Sequence, residues 1–185
     1  MSLSLYTISG FVITDTDGHR VLAKYYNPPG NPTPSAKKLM TLKEQRAFEK
    51  GLFQKTKKAG GEIILYDGFL SVYKHSLDLI IYIIADQSAN ELMLLSALVS
   101  FTDAASTLLR NQLEKRSVLE NLDLVLLCLD ETIDDGVIVE TDSAAIASRV
   151  SRPKADTTEI VINEQTLMSA YLTVKDKVQQ RIQQL

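Results

Sequence analysis

Apolar and polar positions alternate, cluster and recur along this chain in a pattern that predicts a β-β-α-β-β-β-α-α order. Ser4 to Thr14 is rich in β-formers and ends at Asp15-Thr16-Asp17-Gly18, after which His19 to Tyr26 forms a second β-type run. Glycine at the turn makes the two a hairpin. Further on, Glu62 to Tyr66 and Phe69 to His75 flank Asp67-Gly68, a strong hairpin signal. Leu77 to Ala85 is apolar on both alternating faces apart from Asp78, as a central strand covered on both sides requires.

Three helix starts share one signature: Thr41-x-x-Glu44, Ser88-x-x-Glu91 and Ser117-x-x-Glu120. In each, the hydroxyl can accept from the third helical amide while the glutamate reaches back to the cap amide. The expected helices run to about Lys58, from about Ala89 to Asn111, and from about Val118 to Asp134. Phe48 and Leu52 mark the buried side of the first. Leu94, Leu98, Phe101, Ala105 and Leu108 form the stripe of the second. The predicted class is α/β (α+β): a five-stranded antiparallel sheet with one helix on one face and two on the other. This domain spans residues 1–150, with Asp142 capping a short helix, Ser143 to Val150. A linker (151–163) with Pro153 and a C-terminal helix (164–185) follow. That helix carries Leu167, Tyr171, Val174, Val178, Ile182 and Leu185 on one seam, which either packs back or meets a partner. Asn27 to Ser35 holds four of the five prolines and reads as an extended surface loop.

Composition sharpens this picture in two places. The net charge is −3 over 185 residues, so no global field favours nucleic acid. Ala36 to Lys58, however, carries eight basic residues against Glu44 and Glu49, while Glu120 to Asp142 carries eight acidic residues and no Lys or Arg. Such polarity favours oriented docking. Lys43, Arg46 and Lys50 form a candidate basic docking face, either a solvated helix side or a contact for an acidic protein or anionic membrane. The most apolar run, Leu77 to Ala85, is far short of the ~20 residues that span a bilayer. A cytoplasmic chain with peripheral membrane contact only is expected. The single Cys128 cannot form an internal disulfide and suits a reducing compartment.

Catalytic and metal chemistry find little support. His19 and His75 fall in predicted strands without an activating motif, and Cys128 sits in an apolar helix that would raise its pKa. Aligning Gly18 or Gly136 with the glycine of an EF-hand loop leaves apolar or cationic residues at ligand positions. There is no phosphate-binding glycine motif. No enzyme, cofactor, metal or nucleic-acid role is expected.

The third helix gives the best evidence for a partner. Val118, Leu122, Val125, Leu126 and Leu129 form one stripe, yet Leu119, Leu124 and Leu127 extend apolar surface around the circumference. A helix apolar on more than one side is central to a core or covered by another chain. Leu119, Leu122 and Leu126 are the candidate anchors, with Asp134 and Asp135 setting orientation.

Several separate blocks, SLYTISGFVITDTDGHRVLAKYY, QRAFEKGLFQKT, GEIILYDGFLSVYKHSLDLIIYIIA, NELMLL and LDETIDDGVIVETDS, together resemble the zeta family of coatomer, the longin-fold small subunits of the COPI vesicle coat. The resemblance covers residues 4–150. It implies a non-enzymatic subunit that pairs with the large gamma-coatomer chain, beside other coatomer subunits, in a coat recruited by an Arf-type GTPase for Golgi-to-ER and intra-Golgi transport. A looser similarity to clathrin-adaptor sigma chains rests on Val21 to Tyr26 and the strand before the second helix. It carries no cargo-motif pocket onto residues of this chain. A longin-type fusion protein would need a much longer C-terminal coiled coil than Glu164 to Gln184 offers.

Overall fold

The computed structural model describes residues 8–26, 39–57 and 62–151. The proline-rich loop, the linker beyond Ser151 and the C-terminal helix expected from sequence lie outside the described residues. Strand β1 (Ile8–Asp15) pairs with β2 (Arg20–Tyr25), and β3 (Ile63–Tyr66), β4 (Phe69–Ser76) and β5 (Leu79–Asp86) form a meander. Pairing of β1 with β5 closes the two groups into one antiparallel sheet of order β2-β1-β5-β4-β3. The predicted Asp67-Gly68 turn joins β3 to β4, both residues at positive φ (49° and 82°) as a two-residue turn of this hand needs. The expected strand from Leu77 begins later: Leu77 itself takes φ 49° in the turn between β4 and β5.

Alternation along β5 separates two cores. Leu79, Ile81, Ile83 and Ala85 face one layer, and Ile80, Tyr82 and Ile84 the other. Helix α1 (Leu42–Thr56) covers the second face with Phe48, Leu52 and Phe53. Its predicted capping box is formed: the Glu44 amide donates to Thr41 Oγ1 at 3.3 Å, and the Thr41 amide to Glu44 Oε2 at 3.0 Å. Glu49, buried on this helix, accepts from Arg20 Nη2 at 2.6 Å and Nε at 2.9 Å and from the Tyr25 hydroxyl at 2.8 Å. The two-pronged pair fixes α1 to the edge strand β2 with no buried charge left unmatched.

The opposite face carries α2 (Glu91–Leu108), α3 (Lys115–Glu120), α4 (Leu122–Thr132) and α5 (Ser143–Val150). Two of the three expected capping boxes are not used. Asn90 caps α2, accepting from the Leu92 and Met93 amides, because Ser88 is drawn back to donate to Asp86 Oδ1. Ser117 lies inside α3, whose N-cap, Glu114, makes no side-chain cap hydrogen bond. The predicted third helix is in fact two, broken at Asn121 (φ −127°, ψ 41°), whose side-chain amide donates back to the Ser117 carbonyl. Asp142 caps α5 as expected, accepting from the Ala144 and Ala145 amides. By length and composition α2 could cross a membrane, but its Leu94, Ala97, Leu98, Phe101, Ala104 and Ala105 are buried in this layer.

Helix α4 stops at Thr132 rather than Asp134. Ile133–Asp134 (β6) pairs with Val137–Ile138 (β7) in a small hairpin turning at Asp135-Gly136, with φ 45° and 83°. The hairpin docks against the start of β1, where the Ile8 amide donates to the Gly136 carbonyl at 3.1 Å. A side chain at residue 136 would lie 2.6 Å from the Ile8 carbonyl oxygen, so glycine is required by space as well as by φ.

Candidate functional site

Helices α3 and α4 are held by polar contacts at their start and by packing along their inner side. Asp78, in the β4–β5 turn, accepts the Lys115 amide at 2.8 Å. The Lys115 ammonium lies 2.8 Å from Asp15 Oδ2, at the end of β1. Asp15 also accepts the Asp17 and His19 amides through Oδ1. Burial by itself would raise the Asp15 pKa; the Lys115 ammonium and these amides outweigh it and hold the carboxyl at about 2. The inner side of the pair is Val118, Val125, Cys128, Leu129 and Thr132, all buried at helical spacing. Burial pushes the Cys128 thiol up to about 12, so it behaves as the core hydrophobe expected.

The stripe read from sequence is therefore rotated. Val118, Val125 and Leu129 point inward, but Leu122 and Leu126 (each 37% exposed) lie on the outer shoulder, one turn apart. Leu119 and Leu127 are about half exposed, while Leu124 packs partly against the core. Leu119 borders an open depression of about 440 Å³ lined by Asp78, Lys115, Arg116 and Glu120. Asp134 and Asp135 are exposed, on the hairpin turn that follows α4 rather than at the expected helix end. Lys24 on β2 reaches Asp130 Oδ1 at 2.5 Å, which sets this flank of α4 beside the sheet edge. The Tyr26 phenol is raised well above its ordinary pKa by burial first and then by Asp130, Asp134 and Asp135. The leucines and the acidic turn thus lie on consecutive elements, α3, α4 and the β6–β7 hairpin.

The basic candidates are elsewhere. Lys43, Arg46 and Lys50 are exposed on α1, across the sheet from α3 and α4. The sequence offered one composite docking region and a separate basic helix; the fold puts them on opposite layers. Sequence reading missed the exposed apolar residues Ile63 and Leu65 on β3 and Leu92 and Val99 on α2. The signal available was the unbroken apolar run in residues 63–66, which does not alternate as a half-buried strand would.

His19 lies in the turn after β1 rather than in a strand, with Nδ1 3.3 Å from Asp15 Oδ2, and His75 is exposed on β4 against the Tyr73 ring. Among the described residues neither hydrogen-bonds a serine, threonine or cysteine side chain. Asp15, Asp17 and His19 bring ligand atoms within 4.8 Å of one another. Asp15, however, already accepts from an ammonium and two amides, which leaves little capacity for a cation.

Comparison with known proteins identifies the family of the chain. Residues 7–157 match the family model of the clathrin adaptor complex small chain. Coatomer subunit zeta of Saccharomyces cerevisiae is 40% identical over 185 residues, covering 99% of this chain and 98% of its own length. The probable coatomer subunit zeta-A of Dictyostelium discoideum is 42% identical, with 96% and 97% covered. Human coatomer subunit zeta-1 is 39% identical over 175 residues, with 95% and 92% covered. In structure, the chain is similar to one in a homology model of the full-length AP-3 complex in a stretched open conformation. There the TM-score is 0.60 at 15% identity, covering 92% of this chain and 98% of that one, which supports the fold. Near-full-length identity of this order, on a sheet covered by one helix on one face and by several on the other, means that the chain belongs to the coatomer zeta group of the clathrin adaptor complex small chain family.

Proposed function

We propose that this chain is the small, non-enzymatic subunit of a COPI-type vesicle coat, and that it works by pairing with one large subunit, gamma-coatomer. The observation that carries the reading is the outer side of α3 and α4. Leu119, Leu122, Leu126 and Leu127 stay at the surface while the inner side of the same helices is a packed core. Exposed leucines beside an acidic turn suit a partner surface with apolar pockets and a basic rim. In this reading Leu119, Leu122 and Leu126 fill pockets, and Asp134 and Asp135 select the docking direction. Through the large chain the subunit joins the other coatomer subunits, and the coat is recruited to Golgi membranes from the cytoplasm by an Arf-type GTPase for retrograde and intra-Golgi transport.

Co-expression with gamma-coatomer and, separately, with the large chain of a clathrin adaptor tests the reading by size-exclusion chromatography with light scattering. The expected result is a one-to-one complex with gamma-coatomer alone. Leu119→Asp with Leu122→Asp should abolish it while leaving the circular dichroism spectrum unchanged, because both side chains already meet solvent. A folded double variant with undiminished affinity would remove the interface from these helices. Pairing with the adaptor chain instead would reassign the subunit to a clathrin-type complex.

A further inference from the structure

Helix α1 presents Lys43, Arg46 and Lys50 along one outward stripe, and its C-cap Lys57 continues the row with its ammonium 5.8 Å from the Phe53 ring, at helical spacings of three, four and seven. Between them the stripe holds Ala47 and Gln54, and no acidic residue. Both acids of α1 are engaged elsewhere: Glu44 closes the capping box, and Glu49 is buried against Arg20. The contrast with the other layer is informative. There Lys24, Lys115, Arg116 and Arg149 pair in turn with Asp130, Asp15, Glu120, and Glu131 with Glu140, while Lys74 donates to Thr102 and, among the described residues, Arg110 has no carboxylate partner. Among the described residues no carboxylate pairs with Lys43, Arg46 or Lys50. At the N-terminal end of the same helix, Met40 and Leu42 are 64% and 54% exposed.

We infer that α1 is a membrane-docking face that recognises anionic lipid. Four cations in a row extend about 20 Å along a helix that rises 1.5 Å per residue. A protein partner would be expected to find an apolar centre within such a surface, and here there is none between the charges. A diffuse negative surface needs no pocket, only cations free to reach it. Met40 and Leu42 then supply apolar side chains for shallow insertion beside the charged row. The inference holds whether or not α3 and α4 carry the large subunit, since the two faces lie on opposite sides of the sheet.

The test is flotation of the full chain with phosphatidylcholine vesicles, with and without phosphatidylserine, over a salt series. It needs no large subunit, so its failure is distinct from failure of the pairing assay. Salt-sensitive binding to the phosphatidylserine vesicles alone is expected. Lys43→Glu, Arg46→Glu and Lys50→Glu together should weaken it by about 100-fold or more, at about fivefold for each cation removed. Lys43→Arg with Lys50→Arg should retain it, and Arg110→Glu, one charge reversed away from the stripe, should change it far less. Met40→Ser with Leu42→Ser should weaken binding without altering its salt dependence. Equal binding by the triple Glu variant and the parent would overturn the inference. So would a parent that ignores anionic vesicles, and release of the triple variant from a purified coat complex in that case would assign the face to an acidic protein.

Discussion

Asp15→Asn separates charge from shape at the point where α3 is tied to the end of β1. The asparagine keeps an oxygen for the Asp17 and His19 amides but loses the anion that Lys115 meets at 2.8 Å. Desolvation opposes ionisation of Asp15, and the ammonium and the amides overcome it, so the carboxyl titrates at about 2 in the folded state. Against an ordinary value near 3.9, that difference corresponds to roughly 2–3 kcal/mol of pH-dependent stability. The Lys115 side chain is 44% exposed, and solvent screening brings the expected loss in Asp15→Asn to roughly 1–2 kcal/mol. Because the folded pKa lies below the unfolded one, this stability is present above about pH 4 and disappears as pH falls through about 2. Urea unfolding followed by circular dichroism, repeated at steps from neutral pH downward, should show a gap between parent and variant that is constant to about pH 4 and then closes. Amide exchange in α3 should accelerate in the variant, and Lys115→Met should reproduce the loss at neutral pH. A gap that does not change with pH would refute the argument, because the stabilisation would then not come from the ionised carboxylate.

Other predictions follow from the same geometry. Leu129→Ala should cost about 2–5 kcal/mol in urea unfolding, whereas Leu127→Ala should stay within about 0.5 kcal/mol; similar costs would mean the inner face of α4 is misassigned. Gly136→Ala places a Cβ 2.6 Å from the Ile8 carbonyl oxygen at φ 83°, and thermal unfolding should show a loss of about 1–3 kcal/mol. Cys128 should resist alkylation at mildly alkaline pH in the folded chain and react at once in denaturant, since burial raises its pKa to about 12; rapid native labelling would contradict that burial.

Much of the fold was legible because its signals are local. The Asp67-Gly68 turn, the Thr41 capping box and the Asp142 cap each depend on neighbours in sequence and are found where expected, and the two-faced apolar run is found as β5, starting two residues later than expected. Ser88 and Ser117 failed as caps for a reason that composition does not carry. Ser88 has a nearer competitor in Asp86, and α3 starts where Asp78, 37 residues away, receives the Lys115 amide. The candidate docking surface was legible in kind but not in orientation. Excess leucine around residues 119–127 is visible in the sequence; which leucines turn outward depends on the break at Asn121 and on Lys24 holding Asp130. The acidic turn reads as a helix end until Ile133 pairs with Ile138, a pairing worth two residues of strand and too short to leave a periodic signal.

The β1–β5 ladder has a consequence for the order in which the chain assembles. It pairs Phe11 with Ile83, about 70 positions apart, while the other pairings of the large sheet are hairpins between neighbouring strands. During synthesis the β1–β2 hairpin must wait, inner edge unpaired, until α1, the β3–β4 hairpin and β5 have emerged. That interval leaves Ile8, Phe11 and Ile13 uncovered on a free strand edge, the condition under which nascent chains aggregate or recruit chaperones. Closing the seam is expected to be the slow step. Ile83→Val should therefore slow refolding in stopped-flow measurements more than it speeds unfolding, and the reverse pattern would place the kinetic nucleus elsewhere. A subunit destined for a larger assembly would then be most vulnerable before it meets any partner, in the time between making its first strand and its fifth.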